Sequence, residues 1–200
     1  MDKLVKLLPE GARIYVCDTV SERSGVYPKA VFGLAKRPQS QLYGGWRTIS
    51  PMTSDRFYPS RPILAASVAV IRDGRILLAA RGKPPSEGLF SLPGGMVEAG
   101  ETLGEAALRE LREEVGVEAK LIGLIAPVEF IERDEKGHIK HHVVIAAHAA
   151  RWVSGEPQTG PEAKEIRWVT ERDIVDLPMT AGLTGILERA FRLAGQDPRP

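Results

Sequence analysis

Three glutamates, Glu110, Glu113 and Glu114, are the residues of this sequence best suited to chemistry. On a helix turning about 3.6 residues per turn, the spacings i, i+3 and i+4 put all three on one face. Like charges so placed repel by about 0.2–0.5 kcal/mol per pair on an exposed helix, and by more where water is scarce. A divalent cation reverses that cost, and hard carboxylate oxygens select magnesium, with manganese as a substitute. Arg109, four residues from both Glu105 and Glu113, can tie the cluster down. Leu108, Leu111 and Val115 fall on the adjoining face, which can pack into a core. Upstream, Pro93-Gly94-Gly95 lets backbone approach a metal or phosphate with no side chain between. Such a set suits phosphoryl chemistry, because cations neutralise diphosphate oxygens and acidify a bound water.

The elements that must hold these groups are legible around them. Thr102 is a good N-cap, Glu105 completes a capping box, and Gly116 stops the helix. Before it, an apolar β-branched strand at 63–71 and a return strand at 76–80 flank the hairpin signal Asp73-Gly74. A loop with Pro84-Pro85 and Gly88 leads to Phe90-Ser91-Leu92-Pro93-Gly94-Gly95, with no strand assigned before the helix. After the helix come strands at 117–132 and 138–152, joined by 134–137, then a strand at 165–169, a helical turn from Thr170 and a closing helix at 183–194. Strands interleaved with two helices predict a mixed α/β sandwich.

The fixed spacings go further. Gly95 is followed after five residues by Glu101, and after seven more by Arg109-Glu110-Leu111. One spacer, Arg112, precedes Glu113-Glu114, and a second, Val115, precedes Gly116-Val117. A merely solvated acidic face does not require Gly95 and Glu101 at set distances. At ordinary residue frequencies the whole pattern would arise in under about one chain in a million. The segment resembles the signature of the Nudix hydrolase family at every fixed position.

That resemblance implies a Nudix-type mixed-sheet α/β/α sandwich at 61–195, with an N-terminal accessory segment at 1–60. It also implies a Mg2+-dependent pyrophosphohydrolase acting on a small nucleotide. Glu110, Glu113 and Glu114 are expected as metal ligands, with a carbonyl of the Gly94-Gly95 pair, taken as Gly95, as a further one. Glu101 is expected to support the loop and Arg109. The general base in relatives is a glutamate of the helix or of a later loop; here that loop is 155–164, offering Glu162, with Glu165 just beyond. Arg81 stands where similar proteins often bind phosphate, and Phe130 or His142 could line a nucleotide pocket. The stretch 81–100 looks like the ADP-ribose pyrophosphatase branch, which cuts ADP-ribose to AMP and ribose 5-phosphate. Many members of that branch carry a proline sixteen residues past the motif, where this chain has Arg133.

A house-cleaning nucleoside triphosphate (oxidised dNTP) pyrophosphohydrolase is the nearest alternative. A non-catalytic ADP-ribose-binding regulator would want a degraded motif and a basic DNA-binding appendage. The motif here is intact, and only about 30 residues follow the last predicted strand, too few for a winged helix. The NADH branch lacks support, since its proline-tryptophan-proline array is missing. A pure interaction module built on residues 1–60 is the third reading.

Composition bounds the rest. Twenty-seven basic against 26 acidic residues leave a formal charge of +1, which favours neither nucleic acid nor membrane as partner. Cys17 is the only cysteine, so an internal disulfide or Cys-rich zinc site is excluded. The four histidines all fall within 138–148, but His141 and His142 point to opposite faces of a strand, so no zinc site is expected. No apolar run approaches the roughly 20 residues of a membrane span, and the expected location is cytoplasmic. Residues 1–60 offer two β-like runs, 12–16 and 30–35, too little to bury a core alone. They are expected to pack on the hydrolase domain or across a homodimer.

Overall fold

Short runs of alanine, valine and leucine, buried on both faces, make the centre of the sheet. The computed structural model describes residues 13–16 (backbone only), 56–82 and 86–196. Along it run β1 (Arg13–Val16), β2 (Ile63–Arg72), β3 (Arg75–Arg81), β4 (Phe90–Ser91), β5 (Gly94–Met96) and α1 (Leu103–Val115). There follow β6 (Glu118–Arg133), β7 (Ile139–Ser154), β8 (Ala163–Val169), a 3-10 turn at Asp173–Asp176 and α2 (Leu183–Gln196). Among the described residues the strands form one mixed sheet in the order β1-β6-β7-β2-β3-β4, with β5 added to β2 and β8 to β3.

The strands sort their side chains by parity. Ala66, Val68 and Val70 of β2, Leu77 and Ala79 of β3, and Ala150 of β7 face α1, which buries Ala106, Ala107, Leu111 and Val115 against them. Each fully buried Leu or Val there contributes about 1.5–3 kcal/mol. Ala69, Ile71, Ile76, Leu78, Ala147 and Ala149 face the other way, onto Leu183, Ile186, Leu187 and Ala190 of α2. The expected α/β/α sandwich is thus the observed one.

β2 and β7 run parallel from Ile63–Val143 to Ile71–Arg151. β2 and β3 meet only beside their turn, at Ile71–Ile76 and Arg72–Arg75. Asp73 (φ 50) and Gly74 (φ 71) both take the left-handed backbone that a two-residue hairpin turn demands. Beyond those pairs the strands part. The edge of β2 is taken by β5, from Ala65–Met96 to Ser67–Gly94, while β3 turns to β8 and β4.

Two features depart from the sequence reading. The stretch before α1, without a strand in that reading, contains β4 and β5, and β8 begins at Ala163 rather than 165 because a bulge lies opposite Ala80 and Arg81. At the far edge, Arg13–Val16 pairs antiparallel with residues 128–131 of β6, so this N-terminal strand extends the sheet. The second expected N-terminal strand and Cys17 lie outside the described residues.

Candidate active site

Helix α1 starts where its sequence dictates. The Thr102 hydroxyl accepts from the Glu105 N–H at 3.2 Å, and the Glu105 carboxylate accepts from the Thr102 N–H at 2.8 Å. The helix ends at Gly116 in the left-handed conformation, whose N–H bonds the Arg112 carbonyl. Between these caps, Arg109 sits at the centre of the acidic cluster. Its Nε and Nη2 donate to the two Glu101 oxygens at 2.6 and 3.0 Å, and Nη1 to Glu110 at 2.9 Å and Glu113 at 3.2 Å. Nη2 also donates to the Met96 carbonyl at 3.0 Å. All five guanidinium N–H groups are thereby used, which a lysine with three donors could not match. The Arg109 partnership, with the Glu98 N–H, holds the Glu101 carboxyl down at about 2. Met96 offers only a main-chain acceptor, so no side-chain pattern could announce it.

Two carboxylates pack against the backbone of β5. Glu114 accepts from the Gly94 N–H at 3.1 Å. Glu110 lies where a Cβ on Gly95 would stand, so that position tolerates no side chain while Glu110 holds this place. Burial pushes the Glu114 carboxyl up to about 7; the Gly94 N–H opposes the rise, Glu110 and Glu162 add to it, and Arg81 opposes it. Glu114 thus lies between the glycine strand β5, whose Gly94 N–H it accepts, and its own helix, with Gly160 of the chain before β8 near its carbonyl.

A second side of the site comes from β3 and β8. Arg81 pairs with Ala163, a residue of the core under α1, and so shares the α1 face. The Gly82 N–H donates to the Glu162 carbonyl at 2.9 Å, and a Cβ on Gly82 would collide with the Pro161 carbonyl. Gly82 was not singled out from the sequence; a glycine directly after a strand-ending arginine was the only signal. The chain from β7 to β8 passes the C-terminal end of α1, where the Gln158 N–H donates to the Val115 carbonyl at 3.0 Å.

Other expected residues are not gathered here. Glu165 pairs across from Ala80 of the opposite core, and its carboxylate takes Arg167 Nε at 2.6 Å. Arg167 in turn lies over the Phe90 ring, so both point to the α2 face, away from Glu114. Phe130 pairs with Val143 and follows the parity of Ala126 and Val128, again on the α2 face. His142 shares the α1 face with Ala146 but lies four residues along β7 from it, roughly 13 Å. Phe130 and His142 therefore cannot line one pocket. His141 is committed elsewhere: its Nδ1 lies 2.7 Å from the buried carboxylate of Glu132, which also takes Lys140 at 2.7 Å.

The cluster is chemically suited to a divalent cation. Among the described residues no three His, Cys, Asp or Glu side chains stand as a finished metal cage, because Arg109 draws Glu110 and Glu113 while Gly94 draws Glu114. The donor set is nonetheless all oxygen, carries several negative charges, and has Glu110 and Glu114 side by side against bare glycine backbone. Glu113, with a side chain 60% exposed, is the outermost of the three.

The chain is similar to several known proteins. An ADP-ribose pyrophosphatase of Methanocaldococcus jannaschii is 37% identical over 120 residues, covering 60% of this chain and 67% of that protein. A putative 8-oxo-dGTP diphosphatase of Mycobacterium tuberculosis is 32% identical over 133 residues, covering 64% and 90%. The crystal structure of a MutT Nudix hydrolase from Burkholderia pseudomallei superposes with a TM-score of 0.52 at 30% identity, over 64% of this chain and 98% of that one. The family model for the NUDIX domain matches residues 61–190, from just before β2 into α2, and so contains every group of the carboxylate edge. An acidic helix edge laid against a glycine strand, within a sandwich of that type, is what such a match requires, and this chain belongs to the Nudix hydrolase family.

Proposed function

We propose that this enzyme is a magnesium-dependent ADP-ribose pyrophosphohydrolase, releasing AMP and ribose 5-phosphate. The observation that carries the reading is the acidic edge of α1 laid against β5: Glu114 accepts from the Gly94 N–H at 3.1 Å, Glu110 fills the space beside Gly95, and Arg81 stands on the same face of the sheet. The similarity to the archaeal ADP-ribose pyrophosphatase supports the choice of substrate.

Glu110, Glu113 and Glu114 would hold magnesium, with the Gly95 carbonyl as a further donor. Bound there, the cation would shield the diphosphate oxygens and make water more acidic. The chain's own residues do the rest. Arg109 keeps the carboxylates spaced and aimed. Arg81 takes a phosphate oxygen by charge-assisted hydrogen bonds. Glu162 accepts a proton on a carboxylate oxygen as the oxygen of water bonds to phosphorus. The bridging P–O bond breaks, and the departing phosphate leaves as an anion.

The similarity to the putative 8-oxo-dGTP diphosphatase favours one second reading, hydrolysis of a damaged nucleoside triphosphate. Side-by-side turnover of ADP-ribose, dinucleoside polyphosphates and oxidised deoxynucleoside triphosphates with magnesium separates them. ADP-ribose is expected to give the highest kcat/KM, with AMP and ribose 5-phosphate as products. A higher value for an oxidised triphosphate would replace the first reading with the second.

A further inference from the structure

Arg72 ends β2 beside the Asp73-Gly74 turn, where it pairs with Arg75 of β3, well outside the carboxylate cluster. Its guanidinium carbon lies 4.1 Å from the Trp152 ring centroid and 5.8 Å from that of Trp168. Nη1 donates to Glu156 at 2.8 Å. Trp152 holds the same segment a second way, its Nε1 donating to the Gly155 carbonyl at 2.9 Å. Gly155 has a positive φ of 88, and a Cβ there would collide with the Gly116 carbonyl at the end of α1. Further on, the Gln158 N–H is fixed to the Val115 carbonyl at 3.0 Å, the Gly160 N–H to the Ala163 carbonyl at 2.9 Å, and the Glu162 carbonyl to Gly82 at 2.9 Å. The segment 155–162 is thus fastened at intervals from Arg72 to Gly82.

We propose that Arg72, stacked on Trp152 and ion-paired to Glu156, is a positioning residue that sets where the 155–162 segment places Glu162 between the end of α1 and Gly82. The inference rests on the reading of Glu162 as proton acceptor. Its physical basis is a difference between kinds of contact. An exposed ion pair such as Arg72–Glu156 adds little to global stability. A planar guanidinium held between an indole face and a carboxylate is nonetheless directional, and lysine cannot reproduce the stack. Its effect belongs in turnover, where a small misplacement of a reacting group costs far more than it costs in folding.

A double-mutant cycle tests this on the full chain. Arg72→Ala and Glu156→Gln are each made in the wild-type and in the Glu162→Gln background, the second serving should Arg72→Ala fold poorly. In the wild-type background kcat for ADP-ribose is expected to fall roughly tenfold with KM within about twofold, and Arg72→Lys is expected to restore only part of it. In the Glu162→Gln background the same changes are expected to have no further effect on kcat. Hydrogen exchange at the Gln158 and Gly160 amides is expected to quicken in both single variants, with the melting temperature nearly unchanged. Equal losses in both backgrounds, or unchanged exchange at those amides, overturn the proposal while leaving Glu162 in its role. Wild-type turnover in Glu162→Gln alone removes the proton acceptor, and with it the purpose of the anchor.

Discussion

The adjacent glycines of β5 separate catalysis from folding. Neither has a positive φ, so alanine strains the backbone at neither position. What differs is the neighbour that a new methyl group meets. At Gly95 it meets only the end of the Glu110 side chain, with Oε2 at 2.7 Å against the 3.4 Å of ordinary contact. The carboxylate must retreat by roughly 1 Å, at about 0.5–1.5 kcal/mol for a strained rotamer. Reduced freedom of the unfolded chain offsets about 0.4–1 kcal/mol of that, so Gly95→Ala should melt close to wild type. Its turnover should not survive as well, since a displacement of this size at a reacting centre costs about a hundredfold. At Gly94 the methyl meets the Ala66 carbonyl and Ser67, whose Cα lies 2.6 Å away, and paired strand backbone cannot swing aside. Gly94→Ala should therefore cost about 1–3 kcal/mol of stability before any question of chemistry. Thermal melts paired with steady-state hydrolysis of ADP-ribose read both quantities. Turnover of Gly95→Ala within threefold of wild type would refute the reasoning, because Glu110 would then not need its place against β5.

Four more outcomes follow from the same geometry. Glu114→Gln should stay folded yet lose turnover by about a hundredfold or more, and magnesium should raise the melting temperature of wild type but not of this variant. In steady-state assays Glu162→Gln should lower kcat by about a hundredfold, while Glu165→Gln, paired with Arg167 on the far face, should stay near wild type. Arg109→Lys should lower kcat by at least about tenfold and weaken magnesium binding by calorimetry, because five donated bonds become at most three. The Glu101 carboxyl is held at about 2 in the fold against 4.5 when free, so its stabilisation is fully present above pH 4.5 and lost as pH falls towards 2. The melting-temperature gap between wild type and Glu101→Gln should accordingly close over that window in acid titration.

What the sequence made legible was local or periodic. Thr102, Glu105 and Gly116 marked α1 to within a residue because caps are written in adjacent positions. Glu110, Glu113 and Glu114 could be placed on one face because the helical repeat needs no tertiary knowledge. β4 and β5 escaped because strands of two and three residues, one holding Gly94 and Gly95, carry no periodic signal; their pairing is imposed by β2 and β3. The orientation of Glu165 was equally closed to sequence, since the register shift beside Ala80 and Arg81 is what turns it to the α2 face. Phe130 and His142 lie on different strands, and only the register of β6 against β7 reveals that they face apart.

The parting of β2 from β3 has a consequence of its own. The carboxylate edge is carried by β2, β5 and α1, whereas Arg81 is carried by β3, and the two strands pair with each other only beside Asp73-Gly74. Elsewhere their spacing is set by packing beneath α1, where Val68 and Val70 of one meet Leu77 and Ala79 of the other. The width of the gap between the acidic edge and Arg81 is therefore fixed by apolar residues remote from both.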